Sequence, residues 1–155
     1  MERLTKQNPA YINPNLRKIQ IQLLTDMEYS SDFQFNKETS TILAHLISCS
    51  QILIKTYAAP VLKVLLPKAR NPNPAIASSI MMVLGELTPV GGTAVASEAS
   101  TIMQSIMDTL KDLLSSGKLE AALKALSQLC SNTGYVVVIY FDHPALFPII
   151  VKMQN

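Results

Sequence analysis

The sequence predicts an all-α chain of stacked helix pairs, an α-solenoid, on three observations. First, a short cadence of leucine, small residue, polar residue, leucine occurs three times: Leu43-Ala44-His45-Leu46, Leu84-Gly85-Glu86-Leu87 and Leu126-Ser127-Gln128-Leu129. Its closing leucines lie 41 and 42 residues apart. Second, apolar residues recur at steps of three and four, the mark of one helical face. Third, turn signals such as Asn71-Pro72-Asn73-Pro74 and Pro89 with Gly91-Gly92 punctuate the chain between those faces.

In chain order, Met1-Glu2-Arg3-Leu4 reads as the tail of one more copy, followed by the breaker Lys6 to Pro9. A first A-type helix carries Leu16, Ile19, Leu23 and Met27 on one face, with Ile12, Ile21 and Leu24 beside it, and ends near Tyr29. Pro14 is expected in its first turn, where a missing N–H costs little. Ser30 to Asn36 reads as a turn, and the first B-type helix runs from Asn36 to Cys49, burying Ile42, Leu43, Leu46 and Ile47. After a short link, Tyr57 to Pro60 repeats the Tyr-x-x-Pro of residues 11–14 and opens a second A helix with Leu62, Leu65 and Leu66. A leucine lies two residues after the proline in both copies, and again at Pro144 and Leu146.

The second B helix spans Ala75 to Leu87. The third pair places Ile102, Met103, Ile106, Leu110, Leu113 and Leu114 on its A helix, and Leu119, Ala122, Leu123, Leu126 and Leu129 on its B helix. Ser115-Ser116-Gly117 turns between them and Asn132-Thr133-Gly134 closes the pair. Tyr135 to Phe141 is β-branched and aromatic; without a partner strand it reads as an extended link. Pro144 to Met153 begins one further A helix. A period of about 40–47 residues is that of HEAT or armadillo repeats. The expected organisation is thus a HEAT-type solenoid of about three and a half repeats: a tail over 1–7, repeats over about 8–50, 51–92 and 93–136, and the start of another over 137–155. The small residues Ala44, Gly85 and Ser127 are expected to let each B helix approach a neighbour closely.

Composition fits surface meant to be covered by neighbours. The 155 residues are 48% hydrophobic and only 15% charged, against about 25% charged in ordinary soluble domains. No apolar run reaches the length of a membrane span. The net charge of +2 is scattered, with no basic stripe interleaved with aromatics, so no nucleic-acid partner is expected. MERLTKQNP lacks the apolar core of a signal peptide, and two cysteines, Cys49 and Cys130, read as reduced packing residues of an intracellular chain.

Chemistry is sparse. Gly91-Gly92 ends a helix and makes no phosphate loop. His45 holds the polar slot that Glu86 and Gln128 hold in the other copies, and reads as solvated or hydrogen-bonded; His143 precedes Pro144 and helps start a helix. Asp108 and Asp112, one turn apart, read as a solvated pair in the absence of a histidine or third acid. Ser97 to Thr101 read as helix-start residues. Met81, Met82, Met103 and Met107 could line an adaptable groove, but at helical spacing they read as core. The sequence therefore names no catalytic, cofactor-binding or metal-ligating residue, no small-molecule substrate and no cofactor.

Several stretches, in order, resemble the HEAT-repeat region of the target of rapamycin (TOR) protein kinases. They are Asn8-Pro9-Ala10-Tyr11, Leu16-Arg17-Lys18 with Ile21 to Thr25, Lys37-Glu38 leading to Leu43-Ala44-His45-Leu46, and Pro60-Val61-Leu62-Lys63. Asn71 to Pro74, Gly85-Glu86-Leu87, and Gln128-Leu129 running to Ser131 through Val137 complete the set. The resemblance implies a segment of a large serine/threonine kinase, cytoplasmic and also lysosome-associated or nuclear, whose solenoid holds complex subunits and whose kinase domain lies far downstream. No catalytic or ATP-binding residue carries over. The chain departs from the pattern at Phe33 and Phe35, in the shortened turn from Leu113 to Lys118, in the apolar link Val138 to Phe141, and at Pro148, expected to interrupt its helix. Two functions follow as expectations: a non-catalytic scaffold segment contacting flanking repeats or TOR-complex subunits, or a free-standing adaptor binding a peptide or helix.

Overall fold

The chain is represented by a computed structural model that describes residues 9–111, 115–134 and 141–153, with only the backbone at 9–13, 33, 51–53 and 153. Among the described residues seven helices follow one another: α1 Pro9–Tyr29, α2 Phe33–Cys49, α3 Gln51–Lys68, α4 Pro74–Leu87, α5 Gly92–Leu110, α6 Ser116–Thr133 and α7 Leu146–Met153. Among the described residues there is no strand. The fold is an all-α helical repeat.

The helices form two layers. α4 packs on both α2 and α6 most extensively, α1, α3 and α5 form a second, looser row, and each helix of that row packs on the even helix that follows it. The core lies between the rows, where Met27, Leu43, Ile47, Ile54, Leu62, Leu65, Ile80, Leu84, Leu87, Ile102 and Ile106 are fully buried. Each such side chain contributes about 1.5–3 kcal/mol on leaving water. The three cadence leucines Leu43, Leu84 and Leu126 all belong to this cluster, as do Leu46, Leu87 and Leu129.

Local chemistry sets the boundaries. Asp32 caps α2, its Oδ1 accepting from the Gln34 and Phe35 N–H groups at 2.9 and 3.2 Å. Capping satisfies donors that the first helical turn cannot pair. The turn expected over Ser30–Asn36 is therefore shorter, and Asn36 lies inside the helix with its Nδ2 donating to Ser30 O at 3.0 Å. Asn73 caps α4 in the same way, accepting from Ala75 N–H at 3.0 Å with Pro74 at the first position. Gly134, at φ +69°, closes α6 in the left-handed conformation that glycine adopts without steric cost.

The prolines fall elsewhere than expected. α1 starts at Pro9, so Pro14 lies five residues further in; it is exposed and deletes one backbone hydrogen bond. α3 starts at Gln51, with only Ser50 between it and α2, so Pro60 is internal too and no separate link precedes Tyr57. Pro148, by contrast, is the third residue of the eight-residue α7. There it meets only N–H positions that have no intrahelical partner, and it does not interrupt the helix.

On α1 the buried stripe is Leu16, Gln20, Leu24 and Met27, with Leu23 beside it, while Ile19 and Ile21 are exposed. Leu16 and Met27 are buried as expected, and Gln20 and Leu24 take the inward places expected of Ile19 and Leu23. The tail at 1–7, the paired acid Asp112, Leu113 and Leu114, and the link from Tyr135 to Tyr140 lie outside the described residues.

Candidate interaction surface

The site that this architecture builds is the junction between successive even helices. At α4–α6, Gly85 removes the side chain that would obstruct contact. A Cβ there would run into Gln128 Oε1 and lie 3.3 Å from the Ala125 Cα. Ser78 Oγ donates to Gly117 O across the same junction at 3.1 Å. Lys124 Nζ meets Glu86 Oε1 at 3.0 Å on its rim, a largely exposed pair worth well under about 1 kcal/mol.

Aligning the three cadences identifies, besides the core-facing leucines, a forward face, which meets the next even helix, and a back face, which meets the preceding one. Ser78, Met81 and Gly85 are forward on α4; Gly117, Ala121, Ala125 and Gln128 are backward on α6. On the back face, Val83 and Ala125 are 0% and 1% exposed, while their counterpart on α2, Ile42, is 52% exposed. Ile76 and Lys118 are buried, and their counterpart Phe35 is exposed. On the forward face, Ser40 and Met81 are 0% exposed, and their α6 counterpart Leu123 is 36% exposed. Ala44 and Gly85 are buried, whereas Ser127 is exposed. The same residue class is thus dry inside the stack and wet at its two ends. The expected burial of Ile42 and Leu123 fails for this reason: each has the right period, but no described helix lies over it.

The small-residue expectation holds at Gly85 and Ala44, and at Ser127 the slot is open. The polar position that follows it is not simply solvated. His45 is exposed, Glu86 is ion-paired, and Gln128 lies over Gly85 with its Oε1 buried and unpartnered among the described residues. Sequence reading missed the back-face set Phe35, Ile42 and His45; comparing equivalent positions across the three copies was the available signal.

The remaining candidates are spread apart. Asp108 accepts from Gln104 Nε2 at 3.1 Å and lies between Arg70 Nη2 and Lys111 Nζ, each at 3.3 Å, which ties the turn after α3 to α5. Met81, Met103 and Met107 are buried as expected for core residues, and Met82 is exposed. Cys49 and Cys130 are free, half-buried thiols, and burial pushes the Cys130 thiol above its ordinary pKa. His143 and Asp142 border a cleft of about 210 Å³ against Ser97, Ser100 and Met103 of α5. The Ser97 hydroxyl there is turned back onto Ala94 O at 3.0 Å. Among the described residues no group of three or more histidines, cysteines or acids converges on a metal position. No described helix is long and apolar enough to cross a membrane.

No family model matches the chain. Curated relatives do. It is 39% identical over 151 residues to the serine/threonine-protein kinase TOR2 of Saccharomyces cerevisiae, covering 97% of this chain and 6% of that protein. It is 41% identical over 145 residues to the serine/threonine-protein kinase tor1 of Schizosaccharomyces pombe, covering 93% and 6%. It is 35% identical over 154 residues to the serine/threonine-protein kinase mTor of Drosophila melanogaster, covering 97% and 6%. The chain spans about 6% of the length of these relatives. Along nearly its whole length, this helical repeat is a homologue of one short segment of the TOR serine/threonine kinases.

Proposed function

We propose that the chain is a non-catalytic scaffold segment of a TOR-type kinase, built of HEAT-type repeats over about 8–50, 51–92 and 93–136, and acting in the cytoplasm. Its work is done by stacking surface: the faces of the even helices hold flanking repeats or complex subunits in register, as α4 holds α6. The observation that carries this reading is the burial contrast at equivalent positions. Val83 and Ala125 are dry and Ile42 is wet; Met81 is dry and Leu123 is wet. Such a surface is expected of a repeat unit that contacts only its neighbours along the array. The kinase activity of the relatives belongs, on this reading, to parts of those proteins that this chain does not match.

A chimera tests the proposal. The matched 151-residue segment of the S. cerevisiae TOR2 kinase is replaced by this chain. The chimera should accumulate as an intact protein and retain kinase activity, and placing arginine at both Ile42 and Ser127 should abolish its accumulation. A wild-type chimera that is degraded or unfolded would overturn the reading.

A further inference from the structure

Positive charge that is scattered along the sequence is gathered by the fold on one helix of the odd row. Between Glu38 and Glu86 the chain has no acidic residue, while Lys55, Lys63, Lys68 and Arg70 fall within that stretch. The three lysines belong to α3, which carries no acid. At 3.6 residues per turn, Lys55, Thr56, Ala59, Pro60, Lys63 and Pro67 share one side of that helix. All six are exposed, and the opposite side, with Ile54, Ala58, Val61, Leu62 and Leu65, is buried in the core. α3 packs on α1 and on α5, so its outer face runs along the flank of the stack and not at either end. Arg17 of α1 extends the positive surface on one side, its guanidinium 5.2 Å from the Tyr57 ring centroid.

No acid of the fold neutralises this face. Among the described residues Arg17, Lys55 and Lys63 make no ion pair. On α5, Asp108 is held by Arg70 and Lys111, and the other acid, Glu98, is half-buried. The face also carries two backbone acceptors. Pro60 and Pro67 have no N–H, so the carbonyls of Thr56 and Lys63, four residues earlier, lose their helical donors and are displaced by the proline rings. Those carbonyls lie about 10.5 Å apart along the axis, a span that about three residues of extended chain cover.

We propose that the outer face of α3, together with Arg17, binds an acidic segment of a partner polypeptide in extended form. The proposal rests on the scaffold reading above and names the chemistry of a partner at a face that the stacking does not use. Carboxylates of the segment pair with Lys55, Lys63 and Arg17, and its backbone N–H groups donate to the Thr56 and Lys63 carbonyls. Lysine and arginine offer donors only, so charge alone would suit any polyanion. The two carbonyls need donors, which a polypeptide backbone has and a DNA backbone lacks.

Fluorescence anisotropy on the 155-residue chain at low salt tests this with three labelled probes. They are a peptide of alternating glutamate and glycine, the same peptide N-methylated at its glycines, and an oligothymidylate of matched charge. The unmodified peptide should bind most tightly, and added salt should weaken it. Changing both Lys55→Glu and Lys63→Glu should weaken it at least about tenfold, a change of about 1.4 kcal/mol. Pro60→Ala, which restores an N–H to the Thr56 carbonyl, should weaken the peptide about threefold and leave the oligothymidylate unchanged. Far-UV circular dichroism checks each variant, and if the glutamate pair fails to fold, Lys55→Gln with Lys63→Gln replaces it. A wild-type chain that does not bind the peptide overturns the proposal, as do lysine variants that bind like the wild type. Equal affinity for all three probes overturns it too, because the face would then be a general polyanion surface. The lysine pair lies off the even helices, so the TOR2 chimera should accumulate with or without it. That separates failure of this proposal from failure of the scaffold reading.

Discussion

Gly85 of α4 and Gln128 of α6 interlock: the Gln128 carbonyl oxygen occupies the space where a Gly85 side chain would begin. This contact fixes how closely two even helices approach, and it leaves that oxygen buried without a partner among the described residues. A glycine within a helix costs about 1 kcal/mol relative to alanine. Here the cost is offset by the close approach of two helices that share the most extensive packing in the fold.

Enlarging the slot residue separates these effects. Gly85→Ala should change stability by no more than about 1 kcal/mol, since helix propensity improves while the flexible end of Gln128 swings aside. Gly85→Val should cost about 1–3 kcal/mol, because the Ala125 backbone on the other side cannot move in the same way. Urea denaturation of the three proteins checks the order.

Gln128→Met should leave stability unchanged or raise it by up to about 1–3 kcal/mol. It removes an unpaired buried carbonyl and puts an adaptable apolar chain of similar length in its place. A loss of more than about 1 kcal/mol in thermal or urea unfolding would show that Gln128 has a partner in solution.

Leu84→Ala should destabilise by about 2–5 kcal/mol, as expected for a fully buried leucine whose neighbours cannot collapse into the cavity. Asp32→Ala should cost about 1 kcal/mol through loss of the cap on α2. Measuring both by chemical denaturation tests whether packing between rows outweighs helix ends.

The Cys130 thiol has its pKa raised above the ordinary thiol value, mainly by burial. The native state therefore holds this proton more tightly than the unfolded chain does. The stabilisation is complete below the unfolded pKa and is lost as pH rises through the folded value, so stability should fall above about pH 9. Alkylation of Cys130 in the native protein should be slower at neutral pH than in the unfolded chain, as mass spectrometry of timed reactions would show.

Much of the fold was legible because burial imposes a period. Leu43, Leu84 and Leu126 mark the same place in three helices, and Asn73-Pro74 and Gly134 announce helix ends through local backbone chemistry. The errors have local causes. Asp32 caps α2 four residues before Asn36, so the helix starts earlier than its apolar period shows, and Pro14 and Pro60 lie where the helix already runs. Ile19 and Gln20 exchanged roles because a period of three and four fits either stripe.

By itself the sequence determined that the chain is helical, that its helices come in pairs, and that the pairs repeat every 41 or 42 residues. These follow from side-chain period and turn chemistry, which act within one or two turns. Only the tertiary structure decided which face of each even helix is forward and which is back. That depends on what lies across the junction: Ile42 and Val83 are both large aliphatic residues at the same place in their repeats, yet one is wet and the other dry. The difference is the helix packed over Val83, a property of neighbours and not of the residue.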